Sequence, residues 1–352
     1  MPMYEVTIAI PVYQVENYIK DTLLQALNQS FISIEYLMID DCGTDNSVQI
    51  VQSFIRTHPR GKDIRIISND CNKGIAYVRN LAIEQARGKY LYFLDGDDGI
   101  SNDCIQLLYD YAVEYKTDFI TASYQINKNN GHKEYLLYKK QFINGIDKLA
   151  YLHYNTPNGL IYTSMCNKLY CTDWLRDNHI RCIPGTIHEE PDFIIQLISH
   201  THCCILLPQI TYYYNQRDGS TTNRKRSFIP IEEVENHIKS LSFRKDYALT
   251  LKTKEYFPAL ALYLTKNSFN DAFLYISAKT YPAFNNNHLK QVLQLPFSLQ
   301  DIFTFNYNKI KLLLYYIIVI LPISLQRLFF LSTGKIKRFI WNFRKVIQKH
   351  LL

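Results

Sequence analysis

The stretch KYLYFLDGDDGIS, Lys89 to Ser101, decides how the chain is read. Lys89–Leu94 is a β-prone apolar run of the kind that forms a strand buried on both faces. Asp95-Gly96-Asp97-Asp98 follows at once and crowds three carboxylates around one glycine. Acids packed so closely repel one another unless a cation offsets them. In extended chain Asp95 and Asp97 project to the same side. Two hard oxygen ligands on one side suit Mg2+ or Mn2+, which draw further ligands from substrate phosphates. The expectation is a half-built metal site that awaits a divalent ion and a nucleotide diphosphate.

Upstream, the chain alternates between two periodicities. VTIAIPVY (Val6–Tyr13), IEYLMIDD (Ile34–Asp41) and DIRIIS (Asp63–Ser68) read as strands. ENYIKDTLLQALNQ (Glu16–Gln29), SVQIVQSFIRTH (Ser47–His58) and GIAYVRNLAIEQA (Gly74–Ala86) carry helical spacing, the last stopped by Gly88. Repeated strand–helix units with near-continuous apolar strands predict an α/β fold, a Rossmann-like, mostly parallel sheet flanked by helices. Ligands of such sheets lie outside the carboxyl ends of the strands. The loops to inspect are therefore PVYQVEN, DDCGTDNS, NDCNKG and DGDD, in which Asp45 and Ser47 are expected to act as helix caps. The loop after the first strand is neither a Walker A loop nor GxGxxG, which removes the usual phosphate-loop and dinucleotide readings.

Composition sets outer bounds. At 352 residues and 47% apolar, the chain can fill one large domain or two ordinary ones. The N-terminus shows no secretory pattern, and the eight cysteines form neither CxxC nor a zinc spacing, so reduced thiols of a cytoplasmic protein are expected. The net charge of +7 is uneven: Ile302–Leu352 holds nine Lys or Arg and no acid, leaving −2 elsewhere. A basic tail points to nucleic acid or to an anionic membrane.

TIAIPVYQVENYIKDTLLQALNQS, EYLMIDDCGTDNS, NKGIAYVRN and GKYLYFLDGDD, each tied to its own strand, together resemble the nucleotide-sugar domain of the inverting family 2 glycosyltransferases. The resemblance covers roughly residues 5–220 and implies the GT-A fold. It implies a catalytic, nucleotide-sugar-binding domain over 1–225 and a helical region over 226–352. It places Pro11, Val12, Tyr13 and Glu16 in the nucleotide pocket and gives Asp41 the base, with Asp40 structural. Asn72, Lys73 and Gly74 would line the loop beneath Arg79, which would reach base or phosphates; the alternative for Arg79 is a surface helix arginine. Asp95, beside Gly96, would meet the ribose, and Asp97 would ligate Mn2+ or Mg2+. Where relatives often have Asp-Gly-Ser this chain has Asp41-Cys42-Gly43-Thr44, which keeps a glycine for the tight turn.

Inverting transfer needs a carboxylate to take the acceptor's proton. GTIHEEPDFIIQLIS offers Glu190 where similar enzymes carry Asp, with Glu189 and Asp192 in reserve; these acids would equally favour the positive end of a helix. His188 is expected to be a loop residue. By the same resemblance YYYNQRDGSTTN supplies Tyr214, Arg217 and Ser220 to close over the diphosphate, and Asn167 and Lys168 of the NKLY strand would face the acceptor.

Residues 228–300 read as helices without recognisable chemistry. LLLYYIIVILPI, from Leu312, is too short to span a bilayer, and GKIKRFIWNFRKVIQKHLL carries apolar residues on one helical face and Lys and Arg around the rest. The tail, about 310–352, is expected at an anionic membrane interface; nucleic acid is disfavoured because exposed aromatic platforms and polar base readers are missing from it. The functional expectation is a glycosyltransferase that uses a nucleotide-sugar, with UDP as default, on a saccharide or lipid-linked saccharide acceptor. It would work at the cytoplasmic face of the plasma membrane in surface polysaccharide synthesis. The rivals are a nucleotidyltransferase and a catalytically degenerate sugar-nucleotide-binding protein.

Overall fold

Val6–Ile10 are all buried, so the strand Tyr4–Val12 has no solvent face, as a parallel strand covered by helices on both sides requires. The computed structural model describes residues 4–186, 189–217, 229–277, 280–281 and 284–332. The chain divides into two compact units, Met1–Lys225 and Arg226–Leu352.

The first unit runs β1 (Tyr4–Val12), α1 (Ile19–Leu27), β2 (Ile34–Asp40), α2 (Ser47–Thr57), β3 (Ile64–Ser68), α3 (Ile75–Gln85) and β4 (Gly88–Phe93). It continues with β5 (Gly99–Ile100), α4 (Cys104–Tyr115), β6 (Phe119–Asn127), β7 (Lys133–Leu136), β8 (Gln141–Asn144) and α5 (Lys148–Asn155). It closes with β9 (Lys168–Cys171), α6 (Thr172–Asp177), α7 (Glu189–His200) and β10 (Cys203–Asn215). The sheet order is β3-β2-β1-β4-β9-β6-β10-β5, with β7 against β6 and β8 against β10.

The strands β3, β2, β1 and β4 are parallel neighbours. The strand β9 is antiparallel to both β4 and β6, with Tyr92 opposite Leu169 and Thr121 opposite Lys168. Two reversals restore direction, so β6 runs the same way as β4, and β10 is parallel to β6. Three kinds of segment therefore meet at one end of the sheet: the loops leaving β1 to β4, the residues entering β9, and the ends of β6 and β10.

The second unit contains β11 (Ile229–Pro230), α8 (Ile231–Thr250), α9 (Phe257–Ser277), β12 (Thr280–Tyr281), α10 (Asn286–Leu293), α11 (Leu299–Thr304) and α12 (Lys309–Ile320). Its core packs Val234, Ile238 and Leu241 of α8 against Phe269 and Ala272 of α9 and Leu289 and Val292 of α10. The short β11–β12 pairing was not foreseen in the sequence. The apolar run after Lys311 becomes α12, which turns Tyr315, Ile318 and Val319 onto this core and leaves Ile310, Leu314 and Ile320 exposed. Among the described residues no helix is long and apolar enough to cross a membrane. The amphipathic segment expected around Trp341 lies outside the described residues.

Candidate active site

A cavity of about 520 Å³ opens where those segments meet. Its wall includes Pro11, Val12, Tyr13, Asp41, Asn72, Gly74, Arg79, Asp95, Gly96, Asp97, Glu189, Glu190 and Arg217, which sequence reasoning had singled out. It also includes Asp98, Tyr124, Tyr162, Ser164, Tyr212 and Asn215, for which no role was foreseen. Of the missed tyrosines, Tyr212 had one visible signal: it alternates along one strand with Tyr214, which also lines the wall as expected, so the two face the same way.

The acidic loop is braced from several directions. A Cβ on Gly96 would come within 2.9 Å of the Pro11 carbonyl oxygen, so the loop can cross the end of β1 only as glycine. The Thr22 hydroxyl donates to the carbonyls of Gly96 and Asp98. Asp98 is buried; its carboxylate accepts from the Tyr212 hydroxyl at 2.7 Å and the Asn215 backbone N–H at 2.8 Å. Burial, then the charges of Asp95 and Asp97, holds its pKa well above the usual carboxylate range. Asp97 meets Arg217, Nε to Oδ2 at 2.5 Å. Burial and Asp95 nevertheless raise its pKa, with Arg217 opposing. Asp95 pairs with Arg79 at 3.2 Å. The expectation that only a metal and a diphosphate make this cluster tolerable is therefore corrected: each carboxylate already has a partner from the chain itself.

Arg79 is 4% exposed, which excludes the surface-helix alternative. Besides Asp95 it binds Glu189 at 2.5 Å and Glu190 at 3.3 Å. Burial works against its charge, but Glu190, Asp95 and Glu189 outweigh that and hold its pKa above the ordinary value. The residue thus ties the acidic loop to the start of α7. Glu190 has a second anchor: its Oε1 accepts from the Met165 N–H at 2.9 Å and the Ser164 hydroxyl at 3.1 Å. Asp192 points elsewhere; it is fully buried and absent from the cavity wall, because α7 turns its inner face towards the core there.

Burial pushes Glu189 from 4.5 up to about 7, with Arg79 opposing. A folded pKa above the unfolded one means that this group's contribution to stability is complete below pH 4.5 and is lost as pH rises to about 7. In Glu189→Gln, thermal-unfolding midpoints should lose this part of their decline, worth up to about 3 kcal/mol. An unchanged slope across that window in the variant would contradict the assignment.

Several residues expected at the nucleotide also brace the loops of the site. Asp41 is buried and accepts from Asn69 Nδ2 at 2.7 Å and from the backbone N–H groups of Lys73 and Gly74, each at 2.9 Å. It pins the loop before α3, where Gly74 takes φ +82°. Lys73 contributes that N–H, while its ammonium pairs with Asp70 at 2.8 Å and leaves the cavity wall. Glu16 is also off the wall; it accepts two bonds from Asn46, each at 3.0 Å. Asp45 accepts from the Glu16 N–H at 2.9 Å and the Ser47 hydroxyl at 2.8 Å, so it joins two loops besides receiving the Ser47 N–H of α2. Asp40 closes its turn onto Gly43 N at 3.1 Å. The left-handed residue of that turn is Cys42, at φ +60°, and not the glycine. All eight cysteines are unpaired.

Asn167 and Lys168 lie fully buried beneath the cavity instead of facing an acceptor. Asn167 bonds Thr211 and the carbonyls of Ala122 and Ser123. Lys168 Nζ donates to the carbonyls of Tyr162 at 3.1 Å and Ser164 at 2.5 Å and to the Tyr124 hydroxyl at 3.4 Å, and burial draws its pKa down to about 8. Ser220 and His188 lie outside the described residues.

A mainly parallel sheet with an acidic loop past its fourth strand and a carboxylate pair opposite defines a GT-A domain. The crystal structure of S. aureus TarS 1–349 in complex with UDP-GlcNAc has this fold: it matches with a TM-score of 0.67 over 90% of each chain, at 20% identity. The profile described as Glycosyl transferase family 2 matches residues 7–177, so over that stretch the chain carries a domain of this family. An uncharacterized glycosyltransferase of Haemophilus influenzae is 36% identical over 114 residues, 32% of this chain and 44% of that protein. The putative teichuronic acid biosynthesis glycosyltransferase TuaG of Bacillus subtilis is 32% identical over 126 residues, 36% of this chain and 49% of that protein. The chain thus spans less than half the length of these curated relatives.

Proposed function

We propose that the protein is a metal-dependent, inverting glycosyltransferase. It moves one sugar from a nucleoside diphosphate donor, a UDP-sugar by default, to a hydroxyl of a saccharide or lipid-linked saccharide in surface polysaccharide synthesis. One observation carries this reading: a single cavity is lined by six carboxylates and only two arginines among its described residues. A diphosphate cannot enter so acidic a space without a cation. Asp97 fits that cation, since its carboxyl lies on the wall and its pKa is raised even with Arg217 beside it. No cluster of three metal-binding side chains occurs among the described residues, which agrees with an ion completed by substrate phosphates and water. Asp97 would hold Mg2+ or Mn2+ with Asp95 adjacent, and the ion would offset charge on the departing diphosphate.

The chain's own residues supply the rest. Pro11, Val12, Tyr13, Asp41, Asn72 and Gly74 form the nucleoside end, and Arg217 offers its fork to the phosphates. Glu190 accepts the proton of the acceptor hydroxyl as its oxygen bonds the anomeric carbon. The bond from that carbon to the diphosphate breaks on the opposite face, and the diphosphate leaves with the electron pair. Arg79 and the Met165 N–H keep the Glu190 carboxylate oriented for this. Residues 1–225 are the catalytic part and 226–352 a helical region that rests on the cytoplasmic face of the plasma membrane. The exposed Ile310, Leu314 and Ile320 and a tail with nine basic and no acidic residues support that placement.

A screen of nucleotide-sugars with Mn2+ or Mg2+, using membranes as acceptor source, tests the reading. Free nucleoside diphosphate is the expected product. Pyrophosphate would mean nucleotidyl transfer instead, and donor binding without turnover would mean a degenerate binding protein.

A further inference from the structure

Resting on that transfer chemistry, we infer that Tyr162 is the acceptor platform: its ring receives the apolar face of an uncharged sugar ring and presents one of that ring's hydroxyls to Glu190. Position comes first. The nucleoside end of the cavity is built by the loops after β1, β2 and β3, and the acidic loop after β4 lies at its middle. Tyr162 and Ser164 lead into β9, on the far side of β4, so they line the end that the donor does not fill.

The chemistry of that end follows. Tyr162 is 39% exposed although it lines a cavity, so a large ring face is open. Its ring is buttressed edge-on by Tyr124, centroids 5.3 Å apart at 66°. Its backbone is fixed as well: its N–H donates to the Tyr138 hydroxyl at 2.8 Å, and its carbonyl accepts from Lys168 Nζ. Lys168 also grips the Ser164 carbonyl, and Ser164 and Met165 hold Glu190. One short segment thus carries the open ring and holds the proposed base of α7 by two hydrogen bonds, and it is anchored from beneath by one buried ammonium. A pyranose face is weakly apolar with hydroxyls at its rim, which a rigid aromatic ring beside a carboxylate complements.

Charge decides the class. Among the described lining residues the cations are Arg79 and Arg217, and both are engaged by carboxylates. A phosphate on the receiving ring would meet Glu190 and find no free cation among the described lining residues.

The test uses the full chain with the donor it turns over, and compares neutral methyl hexosides and oligosaccharides with hexose phosphates as acceptors. Neutral acceptors should be preferred. In Tyr162→Ala the acceptor KM should rise about tenfold with the donor KM unchanged. Tyr162→Phe and Tyr162→Trp, which keep a ring, should stay near the parent. An unchanged acceptor KM in the alanine variant, or an equal rise in donor KM, would overturn the platform, as would a preference for the hexose phosphates. Slow donor hydrolysis without acceptor reports folding of each variant. A parent chain that releases diphosphate from no donor removes the proposed function and the subsite with it, whereas an active parent with an indifferent Tyr162 removes the subsite alone.

Discussion

Glu190→Gln should lower kcat by on the order of 10²–10⁴-fold and leave donor affinity near that of the parent. The substitution keeps the length and one oxygen of the side chain. The bonds from the Met165 N–H and the Ser164 hydroxyl can therefore persist, and the loop that carries Tyr162 stays in place. What disappears is the capacity to take a proton. The two other acids nearby cannot stand in for it. Glu189 is buried with its carboxylate tied to Arg79, and Asp192 has no access to the cavity. A Glu190→Gln protein within a few-fold of the parent kcat would move the base to Glu189, and single-turnover measurements on both variants would separate the two.

Asp97→Ala should show the opposite division. In Mn2+ or Mg2+ the variant should lose metal-stimulated turnover by on the order of 10²–10⁴-fold, because offsetting the leaving group's charge is worth several kcal/mol. In metal-free buffer its affinity for a nucleoside diphosphate should be no weaker than the parent's. The removed carboxylate repels phosphates, and Arg217, paired with it at 2.5 Å, is released to meet them. Metal-stimulated turnover that survives in the variant would transfer the ion to Asp95.

Much of the framework was legible because it obeys local rules. The four parallel strands are near-continuous apolar runs, and each is followed by polar loop chemistry. NKLY was legible as a strand, but neither of its polar side chains was legible as buried. A lysine inside a core depends on distant acceptors; here they are three oxygens, two contributed by the chain four and six residues earlier and one by Tyr124, 44 residues away. Arg79 had a local clue: it shares the buried face of α3 with Ala76, Ala82 and Ile83, at helical spacing. Its partners did not, since Glu189 is 110 residues away. The same non-locality explains the electrostatic correction. The crowding of Asp95, Asp97 and Asp98 is visible in thirteen residues of sequence, whereas Arg79, Arg217, Tyr212 and Asn215 reach the loop only through the folded sheet.

The central claim is that this acidic cavity takes a nucleotide-sugar through a divalent cation, and calorimetric titration of the chain with UDP-sugars, with and without Mn2+, tests it most directly. The account predicts saturable binding that strengthens by at least about tenfold in Mn2+ and loses that gain in Asp97→Ala. Binding that is indifferent to the metal, or no binding of any sugar nucleotide in its presence, would contradict it.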